Sequence, residues 1–265
     1  MKICVCIKEV PDSDTPPDKL SIDKEKLKIT PTENISTTVN TFDLNAVELA
    51  LKFSENFNDC EITIISLGNN FTSEVIKKPI AMGADKLVIC ESEKLDNIDV
   101  YTTAYILSKM INKTGPYDVI FCGRHASDFD MASVPFAISE ILEIPIINIV
   151  RDIKPKKNEF IIEKIITDGF QVLSAKLPLV LTVGNQAGDP RFPTLKGIME
   201  ASKTKLEKIQ LSDLNLNSND DFINQIELEK IYFPENDNQI KFISGENNKE
   251  KAVNLLRILK KEGIF

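Results

Sequence analysis

Short, mostly apolar runs recur through the first part of the chain, at residues 3–7, 62–65, 87–90, 119–122 and 146–150, each rich in Ile and Val. Runs of that length without alternation fit strands covered on both faces, the mark of a parallel sheet. Between them apolar residues fall at helical spacing. Leu44, Val47 and Leu51 follow a candidate cap at Thr41, and Val100, Ala104, Leu107 and Ile111 follow one at Asp99. Parallel neighbours need crossover connections, so the alternation predicts an α/β fold: a doubly wound, mostly parallel sheet with helices on both faces. Ligands in such sheets sit beyond the carboxyl ends of the strands, which directs attention to the turns at 9–13, 67–70 and 123–130.

After residue 150 the pattern changes. Apolar stretches at 160–167 and 172–175 flank the turn pair Asp168-Gly169, and a further run, 179–183, follows Pro178. These are expected to be extra strands, partly antiparallel. From 212 to 248 the chain turns polar and rich in Asn and Asp, which reads as an arm or linker. Order returns at the end, where Ala252, Leu255, Leu256 and Leu259 make one apolar face of a terminal helix. The expected organisation is therefore an α/β domain over 1–211 and an extended C-terminal arm with its helix over 212–265.

The 265 residues carry 32 Lys+Arg against 40 Asp+Glu, a net charge of −8, and no long basic stripe. Nucleic acid and anionic membranes are unlikely partners on that balance. The five cysteines lie in or beside apolar runs and leave one over, which suits reduced core thiols in a cytoplasmic protein. No apolar run approaches the length of a membrane span.

Familiar catalytic chemistry finds little support. One histidine, His125, would have to carry any Ser-His-Asp or Cys-His system. Cys4 and Cys6 share a strand face, but no second Cys/His cluster completes a metal site. Neither a G-x-G-x-x-G turn after the first strand nor a P-loop is present. What remains is the turn from Gly123 to Asp130, which follows a buried strand and precedes a helix expected from near Met131 to Leu142. There backbone N–H groups and the Arg124 guanidinium suit a phosphate. Asp128 and Asp130 would repel one unless paired, and Asp130 suits a helix cap equally well.

Taken in order, several segments resemble the β subunit of electron-transfer flavoproteins. They are Cys6-Ile7-Lys8-Glu9-Val10-Pro11-Asp12, Val39-Asn40-Thr41-Phe42-Asp43, Ala81-Met82-Gly83-Ala84-Asp85, the 123–130 turn, Asp168-Gly169-Phe170-Gln171, and Pro190-Arg191-Phe192-Pro193-Thr194-Leu195-Lys196-Gly197-Ile198-Met199. The resemblance implies a heterodimer with an α subunit that shares FAD, serving a flavin dehydrogenase that acts on acyl-CoA or hydroxy acids. It also implies a second nucleotide held by this chain: AMP in ordinary members, another FAD in the bifurcating, NADH-linked ones. By position that nucleotide would meet Cys6, Asn40, Leu67, Gly68, Gly123, Arg124, His125, Ala126, Asp128, Asp130, Ser133 and Val134. Leu195, Ile198 and Met199 would form a docking loop for the dehydrogenase, and the terminal helix would pack on the α subunit. No side chain is required as a general acid or base. His125, Ser133, Pro135 and Phe129 depart from residues usual in the family, and the nucleotide stays open between FAD, AMP and none.

Overall fold

The computed structural model describes residues 1–16, 19–25, 27–31, 36–157, 159–216, 224–233 and 240–264. Strands β1 (Lys2–Ile7) and β2 (Glu9–Pro11) open the chain, followed by a hairpin of β3 (Leu20–Asp23) and β4 (Lys28–Pro31) and then β5 (Thr37–Val39). Helix α1 (Thr41–Ser54) leads to β6 (Glu61–Gly68), the short helices α2 (Ser73–Ile76) and α3 (Lys78–Met82), β7 (Lys86–Glu91), α4 (Val100–Thr114) and β8 (Val119–Gly123). Next come α5 (Val134–Leu142), β9 (Ile146–Lys156), β10 (Glu159–Ile166), β11 (Gly169–Ala175) and β12 (Leu179–Val183). Helix α6 (Leu195–Lys203), β13 (Glu207–Lys208) and α7 (Asn248–Lys261) complete the chain.

The main sheet has nine strands in the order β11-β10-β9-β12-β8-β1-β6-β7-β13. From β9 to β13 every neighbouring pair is parallel, while β10 and β11 extend the sheet antiparallel. The five predicted parallel strands and the hairpin around Asp168-Gly169 are all present, as is the strand after Pro178. Side chains alternate across β1. Ile3, Val5 and Ile7 enter a core shared with α1 and α3, and Cys4 and Cys6 enter a second core shared with α4 and α5. Both faces are thus buried, which is why the strands read as mostly apolar runs. Strand β9 bends where its register slips against β12. Ile149 takes a positive φ of 53° there, and the Thr182 hydroxyl oxygen accepts its amide at 2.8 Å.

Three local expectations are corrected. The N-cap position of the first helix falls one residue earlier than expected, at Asn40 rather than Thr41, and the Asn40 side chain makes no capping bond to the helix. The helix expected from near Met131 begins at Val134, because Asp130 and Ala132 hold φ of 52° and 53° and break any helical path through them. Asp130 therefore caps nothing. The expected docking loop is in part a helix, α6, whose Thr194 side chain accepts from the Gly197 amide at 3.0 Å.

The chain divides into Met1–Glu229 and Lys230–Phe265. Of the polar stretch at 212–248, residues 217–223 and 234–239 lie outside the described residues. In the C-terminal unit α7 is capped by Asn247, which accepts from Glu250 at 3.0 Å, and Lys241 pairs with Glu262. None of its residues is buried, so the stripe formed by Leu255, Leu256 and their neighbours faces outward.

Asp99 does two jobs. It caps α4 through Thr102 N at 2.8 Å and accepts the amides of Gln225 and Ile226 at 2.6 and 3.0 Å, tying the 224–229 segment to the sheet domain. Burial opposes its ionisation, but these hydrogen bonds outweigh it and hold the carboxyl below its usual range. A depressed carboxyl stabilises the fold above its unfolded pKa, and that contribution disappears as pH falls through the folded value. Asp99→Ala is expected to cost about 1–2 kcal/mol in urea unfolding at neutral pH, the scale of a lost cap, with the gap to wild type closing in acid.

Candidate functional site

The carboxyl ends of β6, β1, β8 and β12 lie side by side along one edge of the sheet, and the first turn of α1 is seated on it. The seat is chemical. Asp43, buried in that turn, accepts Lys8 N at 2.7 Å through Oδ2 and Gly123 N at 3.1 Å through Oδ1. One carboxyl therefore fixes the two amides at which the chain leaves β1 and β8. Position 123 admits only glycine, since a Cβ there would lie 2.2 Å from Asp43 Oδ1.

Asn40, one turn earlier, holds the 123–133 segment. Its Nδ2 donates to His125 O at 2.8 Å and its Oδ1 accepts Ser127 N at 3.2 Å. Both polar groups of Asn40 are committed to shaping this turn. His125 packs edge-on against Phe42, with ring centroids 4.2 Å apart, and the Arg124 guanidinium lies 5.5 Å from the Phe42 centroid. His125 Nδ1 lies 3.1 Å from Arg124 Nε and 2.9 Å from Asp130 Oδ1. A neutral imidazole accepts from Arg124 and a protonated one donates to Asp130. Burial lowers the His125 pKa, Arg124 adds to the effect and Asp130 opposes it, which favours the neutral form.

The outer wall is more open. Lys8 pairs with Asp128 at 2.5 Å and lies 5.6 Å over the Phe129 ring. Phe129 is 58% exposed, and Met131 and Phe136 are exposed beside it in sequence. Beyond them α5 begins without a side-chain cap, because the Ser133 hydroxyl turns back to donate to Met131 O at 2.7 Å. In its first turn Pro135 has no amide hydrogen and Ala137 N donates to Ser133 O at 3.1 Å, so the amides of Val134 and Phe136 are the ones left for another acceptor.

The sequence-predicted residues thus fall on one edge. Cys6 ends β1, Leu67 and Gly68 end β6, and Gly123, Arg124, His125, Ala126, Asp128 and Asp130 form the turn that leads to Ser133 and Val134. Cys6 pairs in register with Cys122. All five cysteines are free thiols, four buried and Cys60 half-buried. Among the described residues no group of three or more His, Cys, Asp or Glu side chains is placed to hold a metal ion. Sequence reasoning did not single out Lys8 or Asp43. An acid on the buried face of an amphipathic helix, three residues after the residue at the N-cap position, was the available signal for Asp43. A separate cleft of about 430 Å³ opens between α1, β9 and β10, lined by residues including Leu49, Lys52, Arg151 and Glu163. Its charges are already paired, Arg151 with Glu163 and Lys154 with Asp152.

Desolvation raises the Asp43 carboxyl from 3.8 to about 7, against the pull of its backbone hydrogen bonds. A carboxyl raised in this way favours the fold in its protonated form. That contribution is complete below the unfolded pKa and is lost as pH rises through about 7, up to about 4 kcal/mol for a shift of this size. Urea unfolding of the wild type is therefore expected to show stability falling between about pH 4 and about pH 7, and Asp43→Asn is expected to flatten that slope.

Residues 31–214 match the family model described as the electron transfer flavoprotein domain. The electron transfer flavoprotein subunit beta of Thermoanaerobacterium thermosaccharolyticum is 35% identical over 80% of this chain and 79% of its own. The subunit of the same name from Megasphaera elsdenii is 32% identical, over 79% and 78%. The caffeyl-CoA reductase-Etf complex subunit CarD of Acetobacterium woodii is 30% identical, over 82% and 80%. With this match added to the doubly wound sheet and its carboxyl-edge turn, the chain belongs to the electron transfer flavoprotein family, on the side of its beta subunits.

Proposed function

We propose that this chain is the β subunit of a heterodimer with an α subunit, passing electrons through a shared FAD between a flavin dehydrogenase and another acceptor. We further propose that its own carboxyl-edge cleft holds a second FAD, which makes the pair an NADH-linked, electron-bifurcating type. The observation that carries the reading is the turn at 123–133, pinned by Asn40 and Asp43 and leading into the uncapped start of α5. The residues fit the group. The amides of Val134 and Phe136 at the start of α5 suit a phosphate, Arg124 supplies positive charge, and Phe129, Met131 and Phe136 are exposed apolar side chains on the same segment that suit a flat ring system. Of the two carboxylates, Asp128 is paired with Lys8, while Asp130 lies against a neutral His125 with its side chain 72% exposed and is screened by solvent.

FAD supplies the redox chemistry when bound. The chain's own residues bind and orient it: Asn40 and Asp43 hold the turn in shape, and Arg124 with the Val134 and Phe136 amides balances anionic charge. Two relatives support a dehydrogenase of the acyl-CoA type by their names. One is the caffeyl-CoA reductase-Etf subunit, and the other is an acryloyl-CoA reductase electron transfer subunit gamma from Anaerotignum propionicum, 32% identical over 76% of this chain. The docking surface for such a dehydrogenase is α6, where Leu195 (77% exposed), Ile198 and Met199 stand one helical turn apart on one side. The outward stripe of α7 is covered by the α subunit.

Mass spectrometry of small molecules extracted from the co-expressed heterodimer is expected to find two FAD per pair. One FAD with one AMP would overturn the bifurcating assignment in favour of ordinary transfer, and one FAD alone would overturn the nucleotide assignment. A chain ending at Asn247 is expected to bind the α subunit at least about tenfold more weakly in sedimentation equilibrium, the scale of one lost apolar contact face; unchanged affinity would place α7 elsewhere.

A further inference from the structure

The segment between β12 and α6 is laid along α1 and fastened to it at successive turns of that helix. Asn45 Nδ2 donates to Gly188 O at 2.8 Å. One turn on, Glu48 receives Arg191 three times: its Oε2 accepts the backbone amide at 3.0 Å and Nε at 2.8 Å, and its Oε1 accepts Nη2 at 3.1 Å. Glu55 takes the same Nη2 at 2.9 Å. The Glu48 side chain is only 5% exposed. Burial works against its ionisation, but the hydrogen bonds from Arg191 outweigh it and hold the carboxyl below its usual range. Three residues after Arg191 comes Thr194, the cap of α6. Gly197 in the first turn of α6 sits so close to α3 that a Cβ there would lie 2.2 Å from Ala81 O.

Helix α6 therefore lies close against α3 at Gly197, and the segment that leads into it is fastened to α1 by a bidentate ion pair three residues ahead of its cap. Its apolar residues have no such hold of their own. Leu195, Ile198 and Met199 are exposed, as is Phe192, and Ala201 is the one buried residue of the helix. The close approach at Gly197 and the fastened segment ahead of the helix set the direction in which that surface faces.

We infer that Glu48, acting through Arg191, is a positioning residue for dehydrogenase docking: the fork on α1 presets the angle of α6. This rests on the reading of α6 as the docking surface. A preset surface loses less conformational freedom on binding, so the clamp lowers the concentration of dehydrogenase needed for electron exchange without touching the flavins. Neither Glu48 nor Arg191 contacts the nucleotide turn, whose side-chain anchors on α1 are Asn40 and Asp43.

The test uses the reconstituted heterodimer with butyryl-CoA dehydrogenase as probe, following flavin reduction by butyryl-CoA at a series of dehydrogenase concentrations. Glu48→Gln is expected to raise the KM for the dehydrogenase about tenfold, the scale of one charge-assisted hydrogen bond, with kcat and flavin content unchanged. Arg191→Lys keeps the charge but loses the fork, and is expected to fall between the two. Since Arg191 lies nearer the surface than Glu48, it also serves if Glu48→Gln fails to fold. Hydrogen exchange of the peptide spanning 191–199 is expected to quicken in both variants. Leu195→Ala separates the two readings. If Leu195→Ala raises KM and the clamp variants do not, the positioning role is wrong and docking stands. If the wild type exchanges no electrons with the probe, or Leu195→Ala changes nothing, the docking reading falls and the positioning role falls with it.

Discussion

A single buried carboxyl holds the working edge of this protein together. Asp43 binds the amides that leave β1 and β8, and in doing so seats α1 on the sheet. Without it, two backbone donors at the carboxyl edge would be buried and unpaired, and the turn at 123–133 would lose its fixed point of departure. The cost is carried by the carboxyl itself, which desolvation drives up to about 7. An acid is retained there because one side chain must accept two hydrogen bonds arriving from different strands. Neutral residues of similar size offer one acceptor atom, or an acceptor paired with a donor.

From this anchor the division of labour along α1 follows. Its N-terminal turn shapes the candidate nucleotide turn through Asn40 and Asp43, and its middle receives the segment that leads into α6 through Asn45 and Glu48. One rigid helix thus sets the geometry of two surfaces with different proposed tasks. The two core layers separate in the same way. The face carrying α1 and α3 supports the segment around α6, while the face carrying α4 and α5 supports Cys6, Cys122 and the start of α5.

The parallel strands were legible because burial on both faces leaves few polar positions among their apolar residues, and Asp99 was legible because a cap directly precedes a periodic stretch. The short pairs β2 with β5 and β3 with β4 were not, since three or four residues carry too little periodicity to register. The start of α5 was misplaced because nothing in Asp130-Met131-Ala132 announces positive φ at two residues other than glycine. The location of the candidate site followed from sheet topology. Its supports did not: Asp43 and Gly123 are 80 positions apart and Glu48 and Arg191 are 143 apart, and a residue's own identity says nothing about a partner at that distance.

Helix α7 has a consequence for how the protein is made. A helix of 14 residues with nothing buried sits at the length where isolated helices in water are barely stable, even with a good cap. Synthesised faster than whatever covers it, the chain would offer that leucine stripe to other copies of itself and to the proteases that clear unassembled subunits. On the proposed pairing, the cellular dosage of this polypeptide is tied to the supply of the α subunit, and a surplus is expected to be short-lived.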